Sequence, residues 1–444
     1  MSLRIIKSSK VLIFFWVVAF FFVEIVQFDL YAASCITSLK DLTSGKKVKL
    51  TMGIIGDPQL TDFYSYKQRG ILLLSTEFIS DLYMRKNFRR MEPVMDIVFF
   101  TGDLFDGGHK ATMTQFKEDL SRFQRVFRNP RSVPFLSVTG NHDVGYSANE
   151  DELIIERFEE TFGATHEIIT ISQCTLVQSQ LWMRNDSRTK KTVKYRSCEE
   201  RRPSTTDMPL LTLVLLNSQY IDAPPDSVAH KESMKFVAEA VNDIEGAGAP
   251  VVLAVHMPLY RRRYDQCGSL RTSEEIPSLY EKGLDGDSPV AYQNYISKKH
   301  SEHLLHTIMP KIILSGHDHD HCKFEHNGVS TEYTIGTFSW LQGNHDPSVS
   351  FLLLDDRGGL FIKTCPLPDQ YHMIYFYIVL GIFSLLTSWF TIDKKQRVSP
   401  RHGATPAARY FVTILTPRET FLQIGVVVVS ALFFLFVICL VEST

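Results

Sequence analysis

The sequence lacks an excess of either charge. Its 444 residues include 47 lysines and arginines against 49 aspartates and glutamates, which gives a formal net charge of −2. Because nucleic acid binding relies on a surplus of basic side chains, we do not expect a nucleic acid partner. The sequence also lacks internal repeats and low-complexity tracts between residues 31 and 373, which argues against a repeat architecture. Its apolar fraction of 44% instead predicts a large buried core.

Charge is absent from three long apolar stretches. The first, residues 11–23, follows three basic residues near the start of the chain, a pattern typical of targeting segments. We favour a signal anchor that continues to residue 30, because the run is then long enough to cross a bilayer. A signal peptide cleaved near the sequence YAAS at residues 31–34 is the alternative. Both interpretations direct the chain into the secretory pathway.

The other two charge-free stretches, residues 374–392 and 421–441, predict a pair of transmembrane helices. The connection between them, residues 393–420, is basic, and the positive-inside rule places it in the cytosol. Residues 1–30 then comprise a cytosolic N-terminus and the anchor, and residues 31–373 form a lumenal domain. The sequence therefore predicts a multi-pass protein of the endoplasmic reticulum or Golgi membrane.

One glycosylation sequon and the cysteines bear on this topology. Asn185 begins the tripeptide Asn-Asp-Ser, so we expect it to carry a glycan in the lumen. Six of the seven cysteines lie between residues 31 and 373, and an even number suits disulfide formation in an oxidising compartment. Free buried thiols are the alternative. The six are Cys35, Cys174, Cys198, Cys267, Cys322 and Cys365.

Metal-binding side chains follow five apolar runs of this middle segment. Runs of about six apolar residues bounded by glycine or proline predict buried strands. These strands alternate with helical patterns, and ligands of such sheets collect beyond the carboxyl ends of the strands. Carboxylate, amide and imidazole groups together suit Mn, Fe or Zn better than Ca. The residues that end the runs are Asp57, Asp103, the triplet Asn141, His142 and Asp143, then His256, and finally His317 and His319.

The order of these motifs, GD, GD, GNHD, H and GHDH over residues 56–319, resembles the five-block signature of the calcineurin-like metallophosphoesterases. The resemblance implies an α/β fold, a sandwich of two mixed β-sheets flanked by helices, here with N-terminal and C-terminal transmembrane helices added. It also implies a binuclear metal centre at the strand ends. By motif, Asp103 would bridge the metals, Asp57 and His319 would hold the first, and Asn141, His256 and His317 would hold the second.

A binuclear centre implies a defined chemistry. Two divalent cations, Mn²⁺ by preference with Fe or Zn as alternatives, would activate a hydroxide that attacks phosphorus in line. The resemblance places His142, steadied by Asp143, against the substrate, where it would protonate the leaving group. Many family members have histidine where this chain has Gln59. That residue offers a weak neutral oxygen to the first metal or leaves the place to water.

Three consecutive arginines follow the predicted ligand His256. Arg261, Arg262 and Arg263 could pair with a substrate phosphate, because guanidinium groups form charge-assisted hydrogen bonds with phosphate oxygens. A solvated charge run at the surface is the alternative.

Positions along the chain rank the possible disulfides. Six cysteines allow fifteen complete pairings, so the sequence alone does not select one. Cys267 and Cys322 each follow a predicted metal ligand closely, and ligands that meet at one site favour a bond between them. By the same logic Cys174 pairs with Cys198 around the sequon, and Cys35 pairs with Cys365 beside the predicted spans. Two unpaired buried thiols remain the alternative for the first pair.

Short local matches narrow the resemblance further. The sequences GDPQ, GDLFDGG and TIGTFSW are similar to those of a membrane-bound branch of Mn-dependent phosphoesterases that remodel GPI anchors. That branch removes ethanolamine phosphate from a mannose, which implies a membrane-embedded, GPI-anchored substrate. A lumenal or cell-surface phosphatase acting on protein, nucleotide or sugar phosphates is a second hypothesis. A metal-bearing receptor or scaffold without turnover is a third.

Overall fold

A computed structural model describes residues 2–43, 45–66, 68–147, 151–172, 209–262, 267–273, 280–281, 292–326, 328–343 and 346–398. The chain divides into two compact units. The small unit comprises Met1–Tyr31 and Pro368–Thr444, and the large unit comprises Ala32–Leu367. The sequence predicts a lumenal domain over residues 31–373. The large unit ends slightly earlier, at Leu367.

A long helical stretch begins the chain. It consists of α1 (Ser2–Phe21), a π-helical turn (Phe22–Val26) and α2 (Gln27–Leu42). By length and apolarity, Val11–Leu42 is the one helix among the described residues that could cross a membrane. The segment YAAS at residues 31–34, the alternative cleavage site, lies within α2.

A second helix of the small unit, Gln370–Val398, contains the predicted span at residues 374–392. The indole N–H of Trp16 donates to the hydroxyl of Ser384 at 3.0 Å, and the hydroxyl of Tyr377 donates to Glu24 at 2.7 Å. Without these hydrogen bonds, the polar groups would lie among apolar side chains with no partner, which costs free energy. The predicted span at residues 421–441 and the basic loop beyond residue 398 lie outside the described residues.

The large unit contains two mixed β-sheets, as the family resemblance implied, and a separate two-stranded sheet of β7 and β8. In the five-stranded sheet, ordered β13-β12-β1-β2-β3, strands β1, β2 and β3 are parallel, and β12 is antiparallel to both of its neighbours, β1 and β13. In the six-stranded sheet, ordered β10-β11-β9-β6-β5-β4, the inner strands are parallel and both edge strands are antiparallel. The strands are β1 (Val48–Ile55), β2 (Ile97–Phe100), β3 (Phe135–Ser137), β4 (Glu167–Ser172), β5 (Pro209–Leu215), β6 (Val251–Ala254), β7 (Tyr280–Glu281), β8 (Tyr292–Gln293), β9 (Ile312–Ser315), β10 (Cys322–His326), β11 (Ser330–Thr334), β12 (Ser348–Asp355) and β13 (Leu360–Pro366).

The two sheets pack face to face over one apolar cluster. Met52 and Phe99 of the first sheet lie in it with Leu213 and Leu314 of the second, all fully buried. Full burial of each such side chain stabilises the fold by roughly 1.5–3 kcal/mol relative to exposure. Because strand residues alternate between faces, the same strands present a second set of apolar residues outward to helices.

Helices cover the outer faces of both sheets. The helices of the large unit are α3 (Ile71–Met91), α4 (Met113–Val126), α5 (Asn141–Val144), α6 (Glu152–Phe162), α7 (Val228–Ala247) and α8 (Lys298–Ile308), with 3-10 turns at Glu92–Val94, Gly108–Lys110 and Ser218–Tyr220. On the first sheet, Phe88 of α3 and Phe123 of α4 join an aromatic cluster with Phe100 of β2. On the second, Val237 of α7 and Leu304 of α8 pack in a cluster with strand residues. The sandwich flanked by helices is thereby confirmed.

Two of the three predicted disulfides are present in the large unit. Cys35 of α2 is bonded to Cys365 of β13, which closes a loop of 330 residues. Cys267 is bonded to Cys322, as discussed below. The third predicted pair, Cys174 and Cys198, lies with the sequon at Asn185 outside the described residues.

Candidate active site

The predicted metal ligands occupy sharp turns directly after the strands. Five of the seven non-glycine residues with positive φ among the described residues belong to these turns, with φ between 34° and 69°. Such conformations are disfavoured for residues with a side chain and concentrate at functional sites. The five are Asp57, Gln59, Asp103, His317 and His319. The strain indicates that the fold holds these side chains in place for a purpose other than stability.

A central group of donors lies around Asp103. Asp103, His256 and His317 each offer a ligand atom within 4.8 Å of the other two. The Nε2 atom of His256 lies 3.2 Å from Asp103 Oδ2 and 3.1 Å from Asn141 Oδ1. Gly140 makes this approach possible, because a Cβ at that position would lie 1.9 Å from Asp103 Oδ1. Four predicted ligands from both sheets are therefore brought together.

Asp57 adds a second buried carboxylate to the group. Its Oδ2 atom accepts a hydrogen bond from the backbone amide of His317 at 2.8 Å, and its Oδ1 atom lies 3.5 Å from His256 Nδ1. That Oδ1 atom is buried without a hydrogen-bond partner. An orphaned buried carboxylate oxygen beside the imidazole of a predicted ligand is the arrangement that a bound cation would satisfy. The residues present therefore fit divalent metal ions.

Gln59 contacts the donor group directly, and His319 is held by a backbone carbonyl. The side-chain amide of Gln59 donates to Asp103 Oδ2 at 2.8 Å, while its Oε1 atom is buried without a partner. Gln59 therefore supports the predicted bridging carboxylate, and its oxygen stays available to a metal. The Nδ1 atom of His319 lies 3.1 Å from the carbonyl oxygen of Gln342, which fixes the orientation of the ring.

Burial and neighbouring charges set the pKa values of the buried donor side chains. Burial raises the pKa of Asp57 to about 8 and lowers the pKa of His317 to about 3. Burial also opposes charge on His256, but the adjacent Asp103 carboxylate outweighs it and raises the pKa of His256 to about 9. A proton on His256 thus places positive charge beside the Asp103 carboxylate. Metal binding must displace that proton.

His142 does not have the partner that the sequence analysis expected. We predicted that Asp143 steadies its ring, and this prediction was wrong. The Nδ1 atom of His142 contacts the backbone oxygen of Asp106 and lies 3.3 Å from the Asp106 carboxylate. Asp143 instead accepts bonds from the backbone amides of Leu104 and Gly140, at 2.9 and 3.0 Å. It fixes the loop that carries Asp103, and Asp106 orients His142.

The first residue of the arginine run does not face the site. Arg261 is only 4% exposed; it donates to Thr334, contacts the buried Glu332 carboxylate at 3.7 Å and lies over the ring of Tyr295. The predicted phosphate contact is therefore wrong for Arg261, because its guanidinium neutralises a buried acid. Arg262 is exposed, and Arg263 lies outside the described residues. Phosphate binding by those two stays a prediction.

A clamp that the sequence analysis missed fixes the two ligand histidines of the last motif. Between them lies Asp318, whose carboxylate accepts two hydrogen bonds from Arg271, at 2.7 and 3.0 Å. Asp320 accepts a bond from the backbone amide of Ser273 at 2.7 Å. The predicted disulfide Cys267–Cys322 is present and joins the same two segments. Histidine and aspartate alternate in this part of the sequence, so the pattern gives no sign that Asp318 and Asp320 bind a neighbouring segment.

We expect Arg271→Met to destabilise the protein by about 3–5 kcal/mol, because it leaves the Asp318 carboxylate buried without its counter-charge. The side chains of Arg271 and Asp318 are only 6% and 2% exposed. Denaturant unfolding of the detergent-solubilised full chain measures the effect. The matched control, Lys298→Met, removes an exposed pair with Glu302 at 3.8 Å and should cost less than about 1 kcal/mol. Equal effects of the two substitutions would refute the clamp.

The chain is similar in sequence to known proteins and can be compared with a solved structure. The protein "Cell division control protein 1" of Saccharomyces cerevisiae is 28% identical over 75% of this chain, and the match spans 64% of the yeast protein. "Metallophosphoesterase 1" of Xenopus laevis is 28% identical over 66% of this chain and 67% of its own. The solved structure of a dimetal phosphatase from Danio rerio covers 72% of this chain and all of its own, with 12% identity and a TM-score of 0.39.

A family assignment follows from the sequence match that includes the metal site. Residues 51–321 match the calcineurin-like phosphoesterase family. This range makes up more than half of the chain and contains every predicted metal ligand, from Asp57 to His319. The chain therefore belongs to the calcineurin-like phosphoesterase family.

Proposed function

We propose that this protein hydrolyses phosphodiesters with two divalent metal ions held at the strand-end site. The observation that carries the proposal is the buried group of donors around Asp103, next to which an orphaned carboxylate oxygen of Asp57 lies 3.5 Å from the His256 imidazole. Family membership supports phosphoester hydrolysis as the reaction class. Buried carboxylate, amide and imidazole donors together support Mn²⁺, with Fe and Zn as alternatives.

Each donor has a distinct part in holding the metals. Asp103 would be shared by both ions, because its carboxylate is central to the group and is supported by Gln59. Asp57 and His319 would complete one site, and Asn141, His256 and His317 the other. When bound, two divalent cations supply a reactive water and neutralise the phosphoryl oxygens. No side chain of this group then needs to act as the nucleophile.

His142 handles the proton of the leaving group. Its Nδ1 atom is occupied by Asp106, so Nε2 is the nitrogen that can donate to the leaving oxygen. Burial opposes a proton on His142. The Asp103 carboxylate, together with the backbone oxygen and the carboxylate of Asp106, outweighs burial and raises the pKa of His142. Bound cations would neutralise Asp103. Asp106 is then the group that keeps His142 protonated.

For the substrate, we propose a GPI anchor that loses an ethanolamine phosphate from a mannose. The motif resemblance to the GPI-remodelling branch supports this substrate, and so does the helix Val11–Leu42, which could hold the protein at a membrane. A GPI anchor is itself embedded in a leaflet, so a shared membrane raises the effective concentration of enzyme and substrate. A phosphatase of soluble protein, nucleotide or sugar phosphates would gain nothing from that arrangement.

A glycan profile of GPI anchors tests the substrate. In cells that lack this protein, we expect anchors to keep the ethanolamine phosphate branch, and the wild-type chain should restore its removal. The matched control is the Asp103→Asn variant, which should be made and localised but should not restore removal. An unchanged branch content in the deficient cells would eliminate this substrate, and the soluble phosphoesters would then be the substrates to test.

We also propose that the protein is multi-pass in the membrane of the endoplasmic reticulum or Golgi, with the large unit in the lumen. The sequon at Asn185 and the basic loop at residues 393–420 support this orientation. Treatment of the wild type with a glycosidase should increase its electrophoretic mobility, and Asn185→Gln should abolish the shift. Cleavage near Asn185 by a protease added outside intact microsomes would overturn the orientation.

A further inference from the structure

An apolar surface lies exposed on the large unit outside the metal site. Sixteen large apolar or aromatic side chains of this unit are exposed among its described residues, and eight of them lie between residues 63 and 79. The other eight are spread singly along the chain. Apolar exposure concentrated in one segment of the chain in this way indicates an interaction surface. We call it the docking surface: Phe63, Tyr64, Tyr66, Ile71, Leu72, Leu74, Phe78 and Ile79.

Five of these side chains lie on one face of α3. The helix begins at Ile71, and its exposed apolar positions follow a helical period along the first two to three turns. Ile71, Leu72 and Leu74 are 84%, 58% and 64% exposed. The opposite face is buried at Leu73, Ser80 and Met84, which holds the helix against the protein. The exposed face is therefore fixed in place, and packing of the core does not explain its apolar residues.

The segment before α3 has the composition of a membrane interface. Phe63, Tyr64 and Tyr66 are each about 40% exposed. The guanidinium of Arg69 lies 3.9 Å from the centre of the Phe63 ring, with its charge beside the apolar surface. Aromatic rings and arginines of this kind favour the headgroup region of a bilayer, where one end of the side chain is apolar and the other is hydrated.

The docking surface is continuous with the metal site. The hydroxyl of Tyr66 donates to the backbone oxygen of Leu341 at 2.7 Å, and the next residue, Gln342, contacts the ligand His319. Asp62, three residues after Gln59, accepts a hydrogen bond from the backbone amide of Tyr64 at 2.7 Å. The loop that carries Asp57 and Gln59 thus leads directly into the exposed aromatic residues.

We propose that the docking surface inserts into the lipid headgroup region of the membrane that holds the chain. The occupant is a bilayer because this chain carries its own membrane-capable helix, Val11–Leu42. Only five residues separate that helix from β1. The large unit therefore follows the membrane-capable helix after a short connection. The apolar side chains would exchange water for lipid at that surface.

Docking has a consequence for catalysis that rests on the proposed function. A phosphodiester on a membrane-embedded glycolipid lies close to the bilayer, and its distance from the leaflet limits which active sites it can reach. A surface that inserts beside the metal site would hold the site at that level. Hydrolysis of a membrane-embedded ester should therefore depend on the docking surface far more than hydrolysis of a soluble ester.

Photocrosslinking in a defined bilayer tests the docking directly. The full-length chain is reconstituted in phosphatidylcholine and phosphatidylethanolamine vesicles with p-benzoylphenylalanine in place of Leu72. The matched control places the same group at Leu153, which is 73% exposed at the start of α6. We expect at least tenfold more lipid adduct at position 72 than at position 153, measured by mass spectrometry. Equal yields, or a crosslink to a second copy of the chain instead of lipid, would overturn the proposal.

Kinetics in the same vesicles separate docking from the proposed function. The double substitution Leu72→Glu and Leu74→Glu should lower, by about fivefold or more, the ratio of the rate on a lipid-linked phosphodiester to the rate on soluble bis(p-nitrophenyl) phosphate. Leu153→Glu is the control and should not change the ratio. An unchanged ratio in the double variant would contradict the docking. If the wild type cleaves neither ester, the proposed function is wrong, and the adduct yields still decide the docking.

Discussion

Asp103→Asn is expected to lower phosphoester hydrolysis by about 10³-fold or more, with little change in folding. The carboxylate lies at the centre of the donor group, 3.2 Å from His256 and 2.8 Å from the amide of Gln59. Asparagine has the same shape and tolerates the positive φ of 51° at this position. It lacks the charge that would neutralise two cations, so metal affinity should fall together with the rate.

The control for this prediction is Asp226→Asn, because Asp226 is fully exposed at the start of α7 and far along the chain from every ligand. Rates on a soluble phosphodiester and metal content should both remain at the wild-type level in the control. Near-normal turnover by Asp103→Asn with its full metal content would show that Asp103 does not bridge the metals.

His142→Ala should behave differently, because the ring is assigned to proton transfer and not to metal binding. We expect retained metals and a loss of about 10²–10⁴-fold for a phosphodiester with a poor leaving group. The loss should be much smaller for a nitrophenyl ester, whose leaving group needs no proton. His303→Ala, on the exposed face of α8, is the histidine control. Equal losses for good and poor leaving groups would refute the assignment of His142 as the acid.

Asp106→Asn extends the same prediction to the positioning residue. The backbone oxygen of Asp106 remains in contact with the Nδ1 atom of His142 after the substitution, so part of the orientation survives. The loss should therefore show the leaving-group dependence of His142→Ala at a smaller magnitude. A purely structural role for Asp106 would instead lower the rates on both classes of ester by the same factor.

The strand-end site could be predicted from the sequence because its signals are local. Buried strands appear as short apolar runs, and a residue two or three positions past such a run must lie at the edge of the sheet. Asp57 and His317 were therefore placed correctly relative to β1 and β9 without any alignment. The disulfide Cys267–Cys322 followed from the same reasoning, since both cysteines are a few residues from ligands that must meet.

The partners of the site residues could not be predicted, because they depend on where side chains point. Asp143 is in the four-residue helix α5, which turns its carboxylate back to the amide of Gly140 and away from the ring of His142. Asp106 follows Asp103 by three residues, a spacing that does not show that it reaches a histidine 36 positions later. Arg261 resembled a surface residue, but its counter-charge, Glu332, is on a distant strand.

The docking surface shows a similar limit of sequence reasoning. In the sequence, residues 71–79 look like the start of an ordinary buried helix, because apolar residues at a helical spacing normally face a core. The structure places the core contacts of α3 on Leu73, Ser80 and Met84 and leaves the apolar face exposed. On this helix Ser80 is buried and Ile71 is exposed, although polar residues usually face solvent and apolar residues the core. Only the structure shows this reversal.

The proposed function requires that donors from both sheets hold two metal ions. The most direct measurement is the metal content of the purified full-length chain, followed together with the hydrolysis rate during chelation and Mn²⁺ re-addition. We expect about two ions per chain at full activity, and the metal content and the hydrolysis rate should fall and recover in parallel. Full turnover by a chain stripped of metal would contradict the proposed function.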